Sequence, residues 1–181
     1  MLGQINEIKD RIKDLLARQK QVIVAIDGGC AAGTEELARM IAEEFDCNLF
    51  HTPDFFLPEM SDEGIYLDCE RLRRVILEPV RRGIPFFFRP IGKNPMEAVV
   101  PKRLNFVEGT YSLHPKIRDA YDLKIILRTD SAQRQQFIKR LEPEKQMMYA
   151  MQIMPAEAMY FNLTPWDKYC DFILETTAQE I

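Results

Sequence analysis

The chain has 181 residues, of which 46% are hydrophobic and 29% charged, and its formal net charge is −4 at pH 7. This length fits one domain of ordinary size, so we expect residues 1–181 to form a single domain around a substantial apolar core. The acidic balance gives no overall attraction to nucleic acid or anionic lipid, and no apolar run is long enough to cross a bilayer. We therefore predict no nucleic-acid partner and no membrane partner.

The amino terminus, MLGQINEIKDRIKDLL, is charged throughout and lacks the apolar centre of a signal peptide, which predicts a cytoplasmic protein. The four cysteines show no C-x-x-C spacing and the two histidines lie far apart. The sequence therefore predicts neither a zinc site nor a disulfide framework, and no metal-ligating residues. Cys30 precedes a helix N-terminus, where a thiol pKa can fall, but a small space-filling loop residue is the simpler interpretation.

The first elements follow the order of an α/β protein. Residues 4–18 place isoleucine and leucine at intervals of three and four, which predicts an amphipathic helix in the amino-terminal segment 1–20. Val22–Ile26 is a short β-branched strand, and apolar residues at helical spacing then predict a helix that ends near Phe45. Residues 47–51 are predicted as a second strand, and TPDFFLPEM after them as a loop.

The second half of the chain continues this alternation. Asp68 and Gly83 bound a predicted helix, and Pro79 in its last turns is expected to kink it. The proline-rich stretch that follows allows only short extended pieces, at 85–89 and 98–100, which we interpret as a hairpin. The remaining predicted elements are strands at 104–107, 121–130 and 170–176 and helices at 131–141 and 154–162. Alternating strands and helices predict a doubly wound parallel sheet with right-handed crossovers.

The segment VIVAIDGGCAAGTEEL, residues 22–37, carries most of the functional signal. A buried strand, a glycine-rich turn and a helix are the frame of a phosphate-binding P-loop, whose pattern is G-x-x-x-x-G-K-[ST]. Both glycines are present, but a threonine stands at the lysine position and a glutamate at the position of the Mg²⁺-binding hydroxyl. The candidate residues for binding a nucleotide are Gly28, Gly29, Cys30, Ala31, Ala32, Gly33, Thr34 and Glu35.

In chain order, this unit and the segments after it resemble the uridine kinase-like branch of the P-loop kinases, the phosphoribulokinase/uridine kinase family. The matching segments are residues 22–45, HTPDFF, LEPVRRG, FRP, FVEGTYSLHP, YDLKI and PAEAMYF. The resemblance implies a P-loop NTPase fold, α/β with a doubly wound, mostly parallel five-stranded sheet flanked by helices, and a short lid region at about 141–165. It also implies ATP and Mg²⁺ as cofactors and a nucleoside or similar small hydroxyl compound as substrate.

The resemblance also assigns roles to individual residues. Family members have two acidic residues before the paired aromatics, the first at or near the catalytic base, and here the pair is Pro53 and Asp54. Asp54 is thus a candidate catalytic base, with closure of its turn as the equally strong alternative. Glu108 of the VEG segment is a candidate for positioning Mg²⁺ through water, and Arg134 is a candidate nucleotide contact. After FRP, an isoleucine and a glycine stand where the family often has an aromatic residue and an aspartate.

Electrostatics predicts that this loop binds phosphate less well than an intact P-loop. Loss of the lysine removes a charge-assisted hydrogen bond, roughly 1.5 to 3 kcal/mol. A carboxylate about 4 Å from a phosphate oxygen adds a repulsion of around 4 kcal/mol at an effective dielectric near 20. Glu35 has three interpretations: a solvated first-turn glutamate, which is the simplest, a carboxylate folded over the loop amides, or a Mg²⁺ ligand. Lys93 is considered as a displaced lysine, although an exposed loop residue is the simpler interpretation.

Three functions stay open at this level. The first is a degenerate P-loop protein that keeps the fold and a cleft, has impaired or lost phosphoryl transfer, and serves as a binding or regulatory module. The second is an active ATP-dependent kinase of a nucleoside or similar compound with rewired phosphate contacts. The third is an interaction protein that uses its amino-terminal helix or the loop at 90–101. A nucleotide or small-molecule ligand is the predicted partner, and the oligomeric state is left open.

Two further features have competing interpretations. His114 is predicted to enter a turn or helix rather than to act as a catalyst. Tyr160, Phe161 and Trp166 form an aromatic cluster that could stack on a base, but packing against the sheet is the favoured interpretation.

Overall fold

A computed structural model describes residues 2–93 and 95–176. Its main sheet has five strands, all parallel, in the order β2-β5-β1-β6-β7. The predicted α/β fold with a doubly wound parallel sheet is confirmed. The expectation for residues 1–181 also covers Met1, Asn94 and residues 177–181, which lie outside the described residues. In chain order the strands of this sheet are β1 (Val22–Gly28), β2 (Cys47–His51), β5 (Leu104–Glu108), β6 (Leu123–Thr129) and β7 (Phe172–Thr176).

Strand β1 lies at the centre of the sheet and contributes to a hydrophobic cluster on each face. Val22, Val24 and Ile26 join the cluster that contains helices α1 (Leu2–Arg18) and α2 (Thr34–Ala42). Ile23 and Ala25 join the opposite cluster. This two-residue alternation is that of a strand buried on both sides, which is why its sequence is apolar throughout.

Two helical runs each contain a π-helical turn just before a proline. In the first, α3 (Cys69–Leu72) and α4 (Glu78–Arg82) flank the turn Arg73–Leu77; in the second, α6 (Pro143–Met148) and α7 (Met154–Leu163) flank Tyr149–Ile153. Pro79 and Pro155 each lack the N–H that an α-helix would pair with the carbonyl four residues earlier, and the widened turn is centred on that earlier residue. Pro79 is expected to kink its helix; the structure shows a local change in winding before it, and the kink itself stays a prediction.

Several element boundaries differ from the prediction. Helix α2 ends at Ala42 rather than near Phe45, because Phe45 N–H donates to Ala42 O (2.9 Å) in a tighter turn. The predicted loop after β2 begins with a short 3₁₀ turn, Thr52–Phe55. The helix predicted at 131–141 is α5 (Ser131–Lys139), and the helical piece predicted at 154–162 is the last part of the longer run that begins at Pro143.

The proline-rich stretch forms the predicted hairpin. Strand β3 (Phe86–Phe88) pairs antiparallel with β4 (Glu97–Val99), outside the main sheet. Phe88 packs between Phe50 and Phe55, with ring centroids 6.2 and 5.8 Å away. Among residues 2–93 and 95–176, no helix has both the length and the apolar character that crossing a membrane requires.

Candidate functional site

The loop between β1 and α2 presents backbone amides at the start of a helix. Gly33 has a φ of 83°, a left-handed conformation that glycine adopts without strain. A Cβ on Gly28 would lie 2.8 Å from Thr34 Cγ2 and 2.9 Å from Leu127 O, so a larger residue does not fit there. The two glycines of the motif therefore have steric reasons in this fold, and the loop has the shape of an anion cradle.

A carboxylate from helix α7 lies at the amide end of this loop. Both oxygens of Glu157 accept a hydrogen bond from Cys30 N–H, at 3.0 and 3.1 Å, and the Thr110 hydroxyl donates to Oε1 at 3.2 Å. Arg134 Nη2 donates to Oε2 and forms an ion pair with it. Glu157 is only 2% exposed, and this burial raises its pKa while Cys30 N–H and Arg134 oppose the rise. An internal anion thus makes contacts that a P-loop offers to phosphate.

Helix α7 is fixed to the centre of the sheet by a second polar contact one turn later. The Tyr160 hydroxyl donates to Asp27 Oδ2 at 2.6 Å, and Asp27 also accepts the N–H groups of Tyr111 and Leu113 at 3.1 and 2.9 Å. Residues three apart on a helix share a face, so Glu157 and Tyr160 hold α7 onto the P-loop unit together. Tyr160 and Trp166 are buried with ring centroids 5.2 Å apart, which confirms the prediction of core packing for these two aromatics.

Glu35 forms a surface ion pair. Its Oε1 accepts hydrogen bonds from Arg39 at 2.6 and 3.0 Å, one turn along α2, and this contact lowers the Glu35 pKa. The simplest interpretation, a first-turn glutamate, agrees with this arrangement. The carboxylate that accepts a hydrogen bond from a loop amide, that of Cys30, belongs to Glu157, which the sequence did not single out.

Glu108 lies at the carboxyl end of β5 and contacts two neighbouring elements. Thr34 Oγ1 donates to its Oε2 at 2.5 Å, and His51 Nδ1 lies 2.5 Å from its Oε1. His51 is the register partner of Glu108 in the β2–β5 pair, so the parallel sheet itself places the two side chains together. The hydrogen bond with Glu108 raises the pKa of His51. Glu35, His51 and Glu108 offer ligand atoms that all lie within 4.8 Å of one another.

Asp54 is paired with a lysine. Lys93 Nζ donates to Asp54 Oδ1 at 2.6 Å, and Ile91 N–H donates to the Asp54 carbonyl oxygen at 2.7 Å. Asp54, Lys93 and His51 line a cleft of about 390 Å³ beside the hairpin. The alternative that Lys93 replaces the P-loop lysine is therefore wrong, since its ammonium group lies with Asp54 and the neighbouring strand β2.

Burial determines how Cys30 and His114 are interpreted. Burial, reinforced by Glu157, raises the pKa of the Cys30 thiol to about 11, so the suggestion of a lowered thiol pKa is wrong. His114 is half-buried, its ring stacks on Tyr160 at 6.2 Å, and its backbone N–H closes a turn onto Tyr111 O. Burial lowers the pKa of His114, in accord with the predicted turn position.

The P-loop residues line an open cleft of about 730 Å³. Residues Gly28 to Glu36 and Glu108 line this cleft together with Arg140 and with Tyr149 and Glu157 of the 141–165 region. A second cleft of about 300 Å³ adjoins it, lined by Arg128, Arg134 and Phe161. The candidate nucleotide residues Gly28 to Glu35 thus share one cleft with Glu108. The candidate Arg134 lines the 300 Å³ cleft, and Asp54 lines the 390 Å³ cleft beside the hairpin.

Comparison with known proteins shows similarity at the level of structure. No protein-family model matches the chain, and no curated protein matches it. A solved structure titled a possible uridine kinase from Bacillus stearothermophilus is 16% identical with a TM-score of 0.61, over 93% of this chain and 99% of that one. A putative fructose transport system kinase from Silicibacter sp. TM1040 is 18% identical with a TM-score of 0.63, over 93% and 98%.

The chain has the P-loop kinase fold. The sequence did not identify two residues of this site, Glu157 and His51. Glu157 lies in the PAEAMYF segment, but nothing in a single sequence shows that it folds back over Cys30. His51 had a detectable signal, because it ends a predicted strand and ligands of parallel sheets gather at that edge.

Proposed function

We propose that this chain is a uridine kinase-like P-loop protein with impaired or lost phosphoryl transfer that acts as a binding or regulatory module. The observation that carries the proposal is the carboxylate of Glu157, which holds the Cys30 amide and the Arg134 guanidinium. An incoming phosphate would have to displace a buried, doubly held anion before it could use these groups. The P-loop as arranged therefore fits a triphosphate with Mg²⁺ poorly.

The residues that depart from the P-loop pattern are also expected to weaken phosphate binding. Thr34 supplies no positive charge, and its hydroxyl is engaged with Glu108. Losing the lysine removes roughly 1.5 to 3 kcal/mol of phosphate binding, before any cost of displacing Glu157 is counted. Asp54, the candidate base, is also held in an ion pair with the Lys93 ammonium group. A substrate hydroxyl would have to compete with Lys93 for this carboxylate.

One feature supports retained ligand binding rather than a purely structural role. Arg134 Nε is buried, and no residue within the described ranges accepts a hydrogen bond from it. A buried guanidinium donor is costly unless it is satisfied, and an anion in the adjoining 300 Å³ cleft would satisfy it. The module would thus bind a small anionic or nucleotide ligand, held by a subset of the usual P-loop contacts.

The test is a calorimetric titration of Mg·ATP into the native chain and into the double variant Thr34→Lys, Glu35→Thr. We expect the variant to bind about 10- to 150-fold more tightly, since the restored lysine contributes roughly 1.5 to 3 kcal/mol. The single variant Glu43→Lys, at the C-cap of the same helix, makes the same change of charge, an increase of two units, outside the cleft. Equal affinities for the native chain and the P-loop variant would contradict the proposal.

An activity assay separates this proposal from the alternative of an active kinase with rewired phosphate contacts. The native chain is incubated with Mg·ATP and a panel of nucleosides and small alcohols, and transfer of the γ-phosphate is measured. The proposal expects no transfer above the uncatalysed rate. Phosphorylation that is lost on Asp54→Ala would overturn the proposal and establish the alternative.

A further inference from the structure

Three side chains from different elements converge at the carboxyl edge of the sheet. Glu35 comes from the first turn of α2, His51 from the end of β2 and Glu108 from the end of β5. Their ligand atoms all lie within 4.8 Å of one another. The Glu108 side chain is 5% exposed, that of His51 32% and that of Glu35 46%. Glu108 is therefore fixed in the fold, His51 lies beside it, and Glu35 completes the group from the surface of α2.

We propose that Glu35, His51 and Glu108 bind a divalent transition-metal ion in the absence of nucleotide. One imidazole nitrogen and two carboxylates form a three-ligand set, and sites with three protein ligands keep a further position open for water or substrate. Imidazole favours Zn²⁺ and related ions, whereas Mg²⁺ prefers oxygen ligands alone. The set therefore differs from the Mg²⁺ that the family resemblance implies, which would rely on ATP and on a hydroxyl at position 35.

Charge favours a cation at this position. Two of the three groups are carboxylates, and Thr34 adds no charge where a P-loop lysine would lie. Arg39 is a cation beside the group, and it holds Glu35 through a pair that is largely exposed to solvent. Exposed ion pairs of this spacing contribute little, so Glu35 is free to exchange Arg39 for a metal ion.

The contacts around Glu108 already orient it as a ligand. Its Oε2 accepts the Thr34 hydroxyl at 2.5 Å, which leaves Oε1 facing His51 Nδ1 at 2.5 Å. A bound metal needs ligand distances of about 2.0 to 2.2 Å and therefore ligand atoms roughly 3.0 to 3.5 Å apart. Small side-chain rotations reach this spacing, with the metal replacing the hydrogen bond between His51 and Glu108. The open coordination position would face the P-loop cleft, which Glu35 and Glu108 both line.

The test titrates ZnCl₂, MnCl₂ and MgCl₂ separately into nucleotide-free protein by calorimetry. We expect one Zn²⁺ per chain, with Mn²⁺ weaker and Mg²⁺ weakest. His51→Gln and Glu35→Gln should each weaken Zn²⁺ binding by at least about tenfold. Glu36→Gln, on the same helical turn, should leave it unchanged. Because no nucleotide is present, failure of this test leaves the proposed function untouched, and failure of ATP binding leaves the metal site untouched.

A second measurement distinguishes this site from adventitious binding to the four free cysteines. Co²⁺ substituted for Zn²⁺ should give visible d–d bands without the intense near-ultraviolet band of thiolate coordination. Circular dichroism and a thermal melt establish that His51→Gln and Glu35→Gln remain folded. A thiolate band, Zn²⁺ affinity that the two folded variants retain, or tighter binding of Mg²⁺ than of Zn²⁺ would each overturn the proposal.

Discussion

Asp27 is the residue on which the centre of the site depends. Its carboxylate is fully buried at the end of β1 and receives hydrogen bonds from Tyr160 and from two backbone N–H groups after β5. Burial raises the pKa of Asp27 to about 7, although the hydrogen bonds oppose this rise. No local sequence pattern marks Asp27 for this role, because its partners lie 84 to 133 positions away.

The raised pKa of Asp27 predicts a pH dependence of stability. The unfolded carboxyl loses its proton near pH 4, whereas the folded one keeps it up to about pH 7. The folded state therefore binds the proton more tightly in this window, and this contribution to the free energy of unfolding falls as pH rises, by up to about 4 kcal/mol. Asp27→Asn should remove this contribution. Urea unfolding of both proteins at several pH values between 4 and 8 measures it; parallel curves would contradict the prediction.

Replacement of Glu157 is expected to lower the stability of the protein and to strengthen its binding of an anion. Glu157→Gln removes the negative charge that Arg134 pairs with, which should lower the free energy of unfolding by about 1 to 3 kcal/mol. The same change frees Arg134 for an incoming anion, so inorganic pyrophosphate should bind more tightly. Urea unfolding and calorimetry measure the two effects. Glu144→Gln, on the exposed part of the same helical region, is the matched control and should change neither.

At the scale of the element, helix α7 is the part of the 141–165 region that contacts the P-loop unit. Its polar contacts with the P-loop unit come from one helical face, through Glu157 and Tyr160. The π-helical turn Tyr149–Ile153 precedes it, where the absence of the Pro155 N–H loosens the winding. Helix α7 thus makes its polar contacts from one face, and the helical run is irregular just before it, where Tyr149 and Ile153 line the P-loop cleft. The role of residues 141–165 as a lid is a proposal that this arrangement makes testable.

Tyr160→Phe tests the attachment of α7. The change keeps the ring and removes only the hydroxyl that donates to Asp27, so we expect a loss of about 1 kcal/mol in the free energy of unfolding. Limited proteolysis should also cut the 141–165 region faster than in the native chain. Tyr169→Phe removes the hydroxyl of a more exposed tyrosine and serves as the control. Equal proteolysis rates for the two variants would show that the Asp27 contact does not hold the helix.

At the scale of the whole molecule, the sheet divides the protein into two hydrophobic cores. The core under α1 and α2 is aliphatic apart from Phe106 and flanking aromatic side chains, and it carries the P-loop helix. The opposite core contains most of the buried aromatic residues and receives α7. Both cores meet at β1, so the P-loop that follows this strand lies where the two packed layers join.

Ile12→Ala tests the contribution of α1 to this architecture. Ile12 is fully buried in the cluster beneath α1, so deleting its side chain should cost about 2 to 5 kcal/mol of stability. Leu2→Ala on the same helix changes a side chain that is 76% exposed and should cost little. The urea unfolding midpoints of the two variants, each compared with that of the native chain, measure these effects. A small effect at Ile12 would mean that α1 folds independently of the sheet.

The sequence predicted the five strands, the hairpin and most helices, because burial on both faces leaves apolar runs and periodicities that are local along the chain. It also identified the P-loop and its two altered positions, because that motif is contiguous. It predicted element ends less well, as at Ala42, since these depend on single hydrogen bonds.

Only the tertiary structure determined which side chains contact and surround the P-loop. Glu157 reaches Cys30 from 127 positions away, and Glu108 meets His51 through strand register rather than sequence spacing. Neither contact leaves a periodic or contiguous trace. The physical reason is that local patterns reflect burial of each segment, whereas the chemistry of the cleft depends on which polar groups are left to satisfy one another once those segments have packed.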